Sequence, residues 1–297
     1  MDEPILMPIN KKFLAHFEAL MDDKQKTIIG VKIRANQVRQ YTEGLIDLFL
    51  KDKIMPNLKQ NEDYDKISSS KKIKYIEKYN KNIATTIRRI FEIGGKGSHF
   101  KGHVSEKELN EIIKLSTHFI EDIFVEYFLS PSHKFGTEEI LTIFSMLPLR
   151  HRIYILENVY AKDKNLDVVK KLSLAYIKNG EDEKFNSLIT EALEEKIINS
   201  VEYAELCKKC LALKEKLPEV QMLNSKYSSD TKHVIGKIAP SVPDLLVIGF
   251  PSSRDVFDML KAADLFKRWF KENEGKYPEF VNLFYCLMAR DDREYTS

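Results

Sequence analysis

Apolar residues return every three or four positions along most of this chain, and that period predicts helices nearly throughout. Phe13, Leu14, Phe17, Leu20 and Met21 share one face of a helix expected over residues 10–22, with Asn10 able to cap it. A longer amphipathic helix over 26–53 follows from Ile28, Val31, Ala35, Val38, Thr42, Leu45 and Phe49, and Pro56 is expected to close it. Residues 56–70 are polar and read as a loop. A third helix is expected from about Ser70 to Phe91 on Ile73, Ile76, Ile83, Ile87 and Ile90, and a fourth from Ser105 to Phe128 on Leu109, Ile112, Ile113, Ser116, Ile120, Ile123 and Tyr127. Four such helices can bury one another's stripes as an antiparallel bundle.

The stretch Ser130-Pro-Ser-His-Lys-Phe-Gly136 gathers proline, serine and glycine where the period stops, so the expected domains are 1–132 and 133–297. Beyond it the pattern stays helical in shorter pieces, over 137–146, 149–160, 167–178, 182–199 and 200–217. Polar breaks at Asn165, Asn179-Gly180 and Asn199-Ser200 suggest stacked helical pairs, without a repeated sequence. Residues 218–243 read as loop with short helix. Asp244-Leu-Leu-Val-Ile-Gly-Phe250 has the length of a strand, although a buried helical turn is equally allowed. A helix through Val256, Met259, Leu260, Ala263, Phe266 and Phe270 and a last one over about 279–288 complete the chain. The expected class is all-α: an N-terminal antiparallel bundle, then a multi-helix domain with room for one short strand.

Charge changes this picture little. With 47 basic and 45 acidic residues the net charge is +2, so no global field calls for nucleic acid or an anionic membrane. No apolar run reaches the roughly 18 residues that a membrane span needs, and Met1-Asp-Glu-Pro lacks the basic start and apolar core of a signal peptide. A cytoplasmic protein without a membrane partner is expected. Cys207, Cys210 and Cys286 make no disulfide framework. Cys207-Lys-Lys-Cys210 has the spacing of a zinc half-site or redox pair but stands alone in a helical pattern, so Cys210 is expected in the core, Cys207 on a helix face, and no metal or cofactor in the protein.

Candidate chemistry concentrates in Ile87-Arg-Arg-Ile-Phe-Glu-Ile-Gly-Gly-Lys-Gly-Ser-His-Phe-Lys-Gly-His103, after which Ser105 and Glu108 open a helix in capping-box spacing. Gly94, Gly95, Gly97 and Gly102 suit a tight corner, and their freed N–H groups could also line an anion nest. No Gly-Lys-Ser or Gly-Lys-Thr follows, so a nucleotide P-loop is not indicated. His99 and His103 flank the corner. Arg88, Arg89, Lys96 or Lys101 could stabilise a phosphate beside them if the glycines fold the corner back or a second subunit supplies the cation. Equally, His99 could pack in the corner and hold the third and fourth helices together. Two further basic clusters, Leu149-Arg-His-Arg-Ile153 and Lys261 with Lys267, Arg268, Trp269 and Lys271, read first as solvated helix faces, and second as surfaces for an acidic partner or RNA.

The corner resembles the HEPN superfamily of small helical bundles, in particular a bacterial branch in which a helix ends in isoleucine, glycine, small polar residues and histidine before the last bundle helix. Ile33-Arg-Ala-Asn-Gln-Val-Arg-Gln-Tyr-Thr-Glu-Gly-Leu-Ile46 is similar to that branch's long second helix, with Arg39 and Glu43 matching its Arg and Glu pair. The resemblance covers roughly residues 10–130. It implies work in antiphage defence, abortive infection or toxin–antitoxin pairs, RNA as the usual target, and a homodimer through the bundle. HEPN ribonucleases use an arginine and a downstream histidine with four to six residues between them. Here the positions five to seven before His99 are Gly94, Ile93 and Glu92, and the nearest upstream arginines are Arg89 and Arg88. Two readings follow from the resemblance. In one, the bundle is a metal-independent endoribonuclease with His99, Arg89 and His103 as catalytic residues, Arg88, Lys96 and Lys101 on the RNA, and Gly94, Gly95 and Gly97 shaping the corner. In the other, which the displaced arginine favours, it is a binding and assembly module for a partner such as an ATPase or nuclease of the same system.

Overall fold

The computed structural model describes residues 28–99, 102–130, 140, 141, 144, 147, 149–215 and 275–294. Every regular element among the described residues is helical, so the class is all-α. The helix expected over 10–22, the strand-length run 244–250 and the helix through Val256 to Phe270 lie outside the described residues. So does most of the Ser130–Gly136 stretch. The chain divides into two compact units, with the change falling between Ile123 and Phe124.

Among the described residues, the first element of the first unit is α1 (Ile28–Phe49). Val31, Ala35, Val38 and Leu45 are buried along its stripe, and Thr42 joins them because its hydroxyl donates to Val38 O at 2.8 Å. The long helix expected to reach Lys53 ends at Phe49. Leu50, in a helical conformation but outside either helix, leads into the short α2 (Lys51–Ile54). Pro56 then opens a 3-10 turn, Met55–Asn57, where its missing N–H costs nothing. The polar loop beyond is pinned by Tyr64, 4 % exposed, whose hydroxyl donates to Asp47 while Lys72 and Lys51 lie 3.9 and 4.9 Å from its ring centre.

The third expected helix is two helices, α3 (Ser69–Tyr79) and α4 (Lys81–Ser98). Asn80 breaks them with extended backbone, φ −149° and ψ 111°, and its Oδ1 accepts the orphan N–H groups of Asn82 and Ile83 at 2.9 and 3.1 Å. Periodicity misses this break because Ile76 and Ile83 are seven residues apart, which keeps the stripe in phase across it. Helix α4 packs along α1, and α5 (Glu106–Leu129) adds Leu109 and Ile112 to a core of Val31, Ala35, Val38, Ile90, Ile93 and Val104. The capping box that opens α5 forms as spaced: Ser105 Oγ accepts from Glu108 N at 3.2 Å, and Glu108 Oε2 accepts from Ser105 N at 2.9 Å.

The second unit starts within α5 at Phe124. It continues through α6 (Leu149–Tyr160), α7 (Leu166–Lys178), α8 (Asp182–Glu194), α9 (200–215) and α10 (Pro278–Glu294). Consecutive helices pack, α6 on α7 and α7 on α8. Their polar breaks are caps: Asn165 Oδ1 accepts from Val168 N at 3.0 Å, and Asn199 Oδ1 from Val201 N and Glu202 N at 2.9 and 3.0 Å. Gly180 takes φ +75°, and Glu181 N then closes back on Tyr176 O at 2.9 Å, a helix end that favours glycine. The core of the unit is aromatic. Phe124, Phe128, Phe144 and Phe280 are nearly fully buried, with the Phe124 centroid 5.3 to 5.6 Å from the other three.

Candidate functional site

Gly94, Gly95 and Gly97 do not form the corner; they lie in the last turns of α4, where Gly94 and Gly97 face α1. A Cβ at Gly94 would stand 2.6 Å from Arg39 Cβ and 2.9 Å from Ala35 O, and one at Gly97 only 2.5 Å from Lys32 O. One turn apart on one face, these two residues let α4 lie directly on the backbone of α1. Gly95 faces away from the crossing, with Arg39 Nη1 the nearest atom at 3.8 Å. Their helical conformation leaves no row of free N–H groups to cradle an anion, which removes the nest that the sequence suggested.

The corner itself begins at His99, the C-cap of α4, whose backbone turns extended at φ −97° and ψ 136°. Its carbonyl is the hub: Gly102 N donates to it at 3.0 Å and Lys32 Nζ, reaching over from α1, at 2.9 Å. Gly102 is held so close to the helix end that an added Cβ would stand 2.0 Å from Lys96 O. The rings of His99 and His103 are both exposed, so His99 braces the corner through its backbone rather than by packing its imidazole. Val104, 3 % exposed, returns the chain to the core. Lys101 lies outside the described residues.

The cations expected to meet a phosphate are held by carboxylates. Arg89 Nε and Nη2 grip Glu111 Oε1 and Oε2 at 2.7 and 3.0 Å, a side-on pair across α4 and α5, with Glu92 at 3.4 Å. Glu111 raises the pKa of Arg89 further above its ordinary value, and Arg89 in turn lowers that of Glu111. Arg88 pairs with Glu77 at 3.0 Å, tying α4 to α3, and Lys96 with Glu108 at 2.9 Å. Arg89 also precedes His99 by ten residues, about 15 Å of axial rise. One chain therefore does not bring them to one phosphate. Arg39 and Glu43 do form a pair on α1, with both Arg39 Nε and Nη2 3.3 Å from Oε1, while Ser69 Oγ donates to the same oxygen at 3.2 Å.

Glu108 joins the corner to the helix that follows it. The Ser105 N–H, the Lys96 ammonium and the Ser105 hydroxyl hold its carboxyl down to about 2, from 4.5. Because the folded value is the lower one, this stabilisation is complete above about 4.5 and is lost as pH falls towards 2. Thermal melts of Glu108→Gln and the parent chain should therefore differ at pH 6 and converge as the pH nears 2. A constant difference across that range would mean that ionisation of Glu108 is not what stabilises the corner.

Sequence reasoning overlooked two buried polar groups. His118 Nδ1 and Glu121 Oε2 stand 2.6 Å apart on α5, with Glu121 only 3 % exposed. His151 and Arg152, read as part of a solvated face, are buried at 1 % and 4 % exposed. The signal was present in the spacing: Arg152 falls three residues after Leu149 and four before Leu156, on the apolar stripe of α6 itself. Cys210 is buried and Cys207 partly exposed on α9, as their positions in the pattern suggested. Among the described residues, no three His, Cys, Asp or Glu side chains gather as a metal site, and no helix is long and apolar enough to cross a membrane. Comparison with protein-family models, curated proteins and solved structures finds no match to this chain.

Proposed function

We propose that the first unit is a HEPN-like binding and assembly module of a bacterial conflict system, cytoplasmic and dimeric through its helices, that docks a protein partner and does not itself cut RNA. One observation carries this reading. Arg88, Arg89 and Lys96, the described cations that a phosphodiester would need, are each paired with a glutamate that fastens α4 to α3 or α5. A cation that already serves a carboxylate has to break that pair before it can stabilise a pentavalent phosphate, and catalysis gains only from groups poised in advance. The partner in this reading is an ATPase or nuclease acting in the same system.

The exposed imidazoles of His99 and His103 favour a second reading, a metal-independent endoribonuclease in which another subunit brings the arginine. Incubating the purified chain with RNA in chelator separates the two. On the assembly reading the RNA stays intact, the chain elutes as a dimer in size-exclusion chromatography with light scattering, and His99→Ala changes neither result. Cleavage without metal that His99→Ala abolishes, with helicity unchanged, would overturn it.

A further inference from the structure

The pair Cys207 and Cys210 is a motif of the second unit that the proposed function leaves unused. Both lie in the regular helix α9, with Lys208 and Lys209 between them, so the helix itself fixes how they stand to each other. Residues three apart share a face, with Cβ atoms about 5–6 Å apart. A disulfide needs Cβ atoms about 3.5–4.5 Å apart, so the intact helix holds these thiols too far from each other for an S–S bond. A bridge one atom longer spans the gap. Two metal–thiolate bonds of about 2.3 Å in line place the sulfurs roughly 4.6 Å apart, a separation that two side chains on one helical face reach by rotamer choice.

Burial divides the pair. Cys207 is partly exposed, whereas Cys210 is 1 % exposed and shares the inward stripe of α9 with Leu206 and Leu213. An ion reaches Cys207 from solvent and comes to rest against Cys210 out of water. Burial, and then the negative charge of the Cys207 sulfur, push the Cys210 thiol up to about 12. The same charge, with hydrogen bonding to it, holds the proton of Tyr203, one turn earlier, above its ordinary range. A cation between the two sulfurs removes the repulsion between them. Among the described residues, no third His, Cys, Asp or Glu side chain joins the pair. That isolation excludes zinc, which takes four protein ligands in a structural site, and leaves a soft ion that two thiolates hold in line. We propose that Cys207 and Cys210 bind one soft monovalent metal ion of the Cu(I) type between their sulfurs, with α9 intact. The thiol protons leave as the ion binds, so affinity rises with pH. The site lies in the second unit and does not depend on the function proposed for the first.

Cu(I) is the probe, titrated into the reduced full chain under argon in competition with bicinchoninate, whose Cu(I) complex is coloured. The parent should take one ion per chain from the chelator, and its helical circular dichroism should stay unchanged because the ion fits α9 as it stands. Cys207→Ser, at a partly exposed position that folding tolerates, should leave the ion with the chelator. Cys210→Ser should do the same, and Cys286→Ala should bind as the parent does. Spacing is tested by combining Cys207→Ser with Lys208→Cys, which retains three thiols but sets the pair two residues apart, on different faces of the helix. That chain should not recover binding. The proposal is overturned if the parent leaves Cu(I) with the chelator, if Cys207→Ser or the respaced chain binds as tightly as the parent, or if folded Cys286→Ala loses the ion. Loss of helical signal on binding would also overturn it, since the ion would then need α9 to open.

Discussion

Gly97→Ala should destabilise the first unit by roughly 1–3 kcal/mol, whereas Gly95→Ala, two residues away in the same helix, should stabilise it by up to about 1 kcal/mol. Glycine in a helix ordinarily weakens it, so propensity alone predicts a gain at both positions. The crossing with α1 reverses the sign at Gly97. A methyl there would stand 2.5 Å from Lys32 O, 3.1 Å from Asn36 N and 3.3 Å from Ala35 Cβ, and two of those are backbone atoms that cannot turn aside. The helices would have to separate across Ala35, Val38, Ile90 and Ile93, residues with no exposure, and the close packing given up there outweighs the propensity gain. Gly97 is also in the last turn of α4, where that gain is smallest. Gly94→Ala should follow Gly97→Ala in direction. Urea unfolding followed by circular dichroism reads all three, and a midpoint for Gly97→Ala at or above that of the parent would show that α4 does not depend on this close approach. The crossing matters for function because it fixes where α4 ends, and so where the exposed rings of His99 and His103 are presented.

Phe124→Ala should be the most disruptive single change in the second unit, costing about 3–5 kcal/mol. Phe124 has no exposure, and its ring meets four others: Phe128, Phe144 and Phe280 at centroid distances of 5.3, 5.5 and 5.6 Å and Tyr127 at 6.1 Å. Truncation removes one ring's transfer free energy and leaves a void walled by rings from separate helical segments, which cannot all close in together. Phe124→Leu retains most of the volume and should cost less than half as much. The measurement is the same urea transition, with the m-value checked for loss of cooperativity. If Phe124→Ala moves the transition by less than about 1 kcal/mol, this aromatic cluster is not the centre of the unit.

The period of three to four placed α5, α6 and α7 to within a residue or two and α1 to within four, because each buries one stripe and a stripe is written locally, whereas α10 runs six residues past its expected end at 288. The capping box at Ser105 and Glu108 was legible for the same reason: both partners lie within one turn. The break at Asn80 could have been found from its capping chemistry but not from periodicity, which runs through it in phase. The candidate site was legible as an address and not as a geometry. His99, Arg88, Arg89 and Lys96 were visible as titratable residues near a glycine cluster, but which acids they meet depends on Glu77, Glu108 and Glu111, eleven to twenty-two residues away.

Helix-forming pattern and caps therefore belonged to the sequence, because both are settled within about one turn of chain. Tertiary structure decided what those local facts were for. Four glycines proved to be three in a helix and one in a tight return, two of the three because another helix's backbone lies against them. Three cations became struts between helices because carboxylates far along the chain fold within reach, and a fourth, Arg152, became buried because its place on an apolar stripe is filled by packing whatever its charge. Such pairings are set by how helices dock, and docking is a property of whole faces that no short stretch of residues contains.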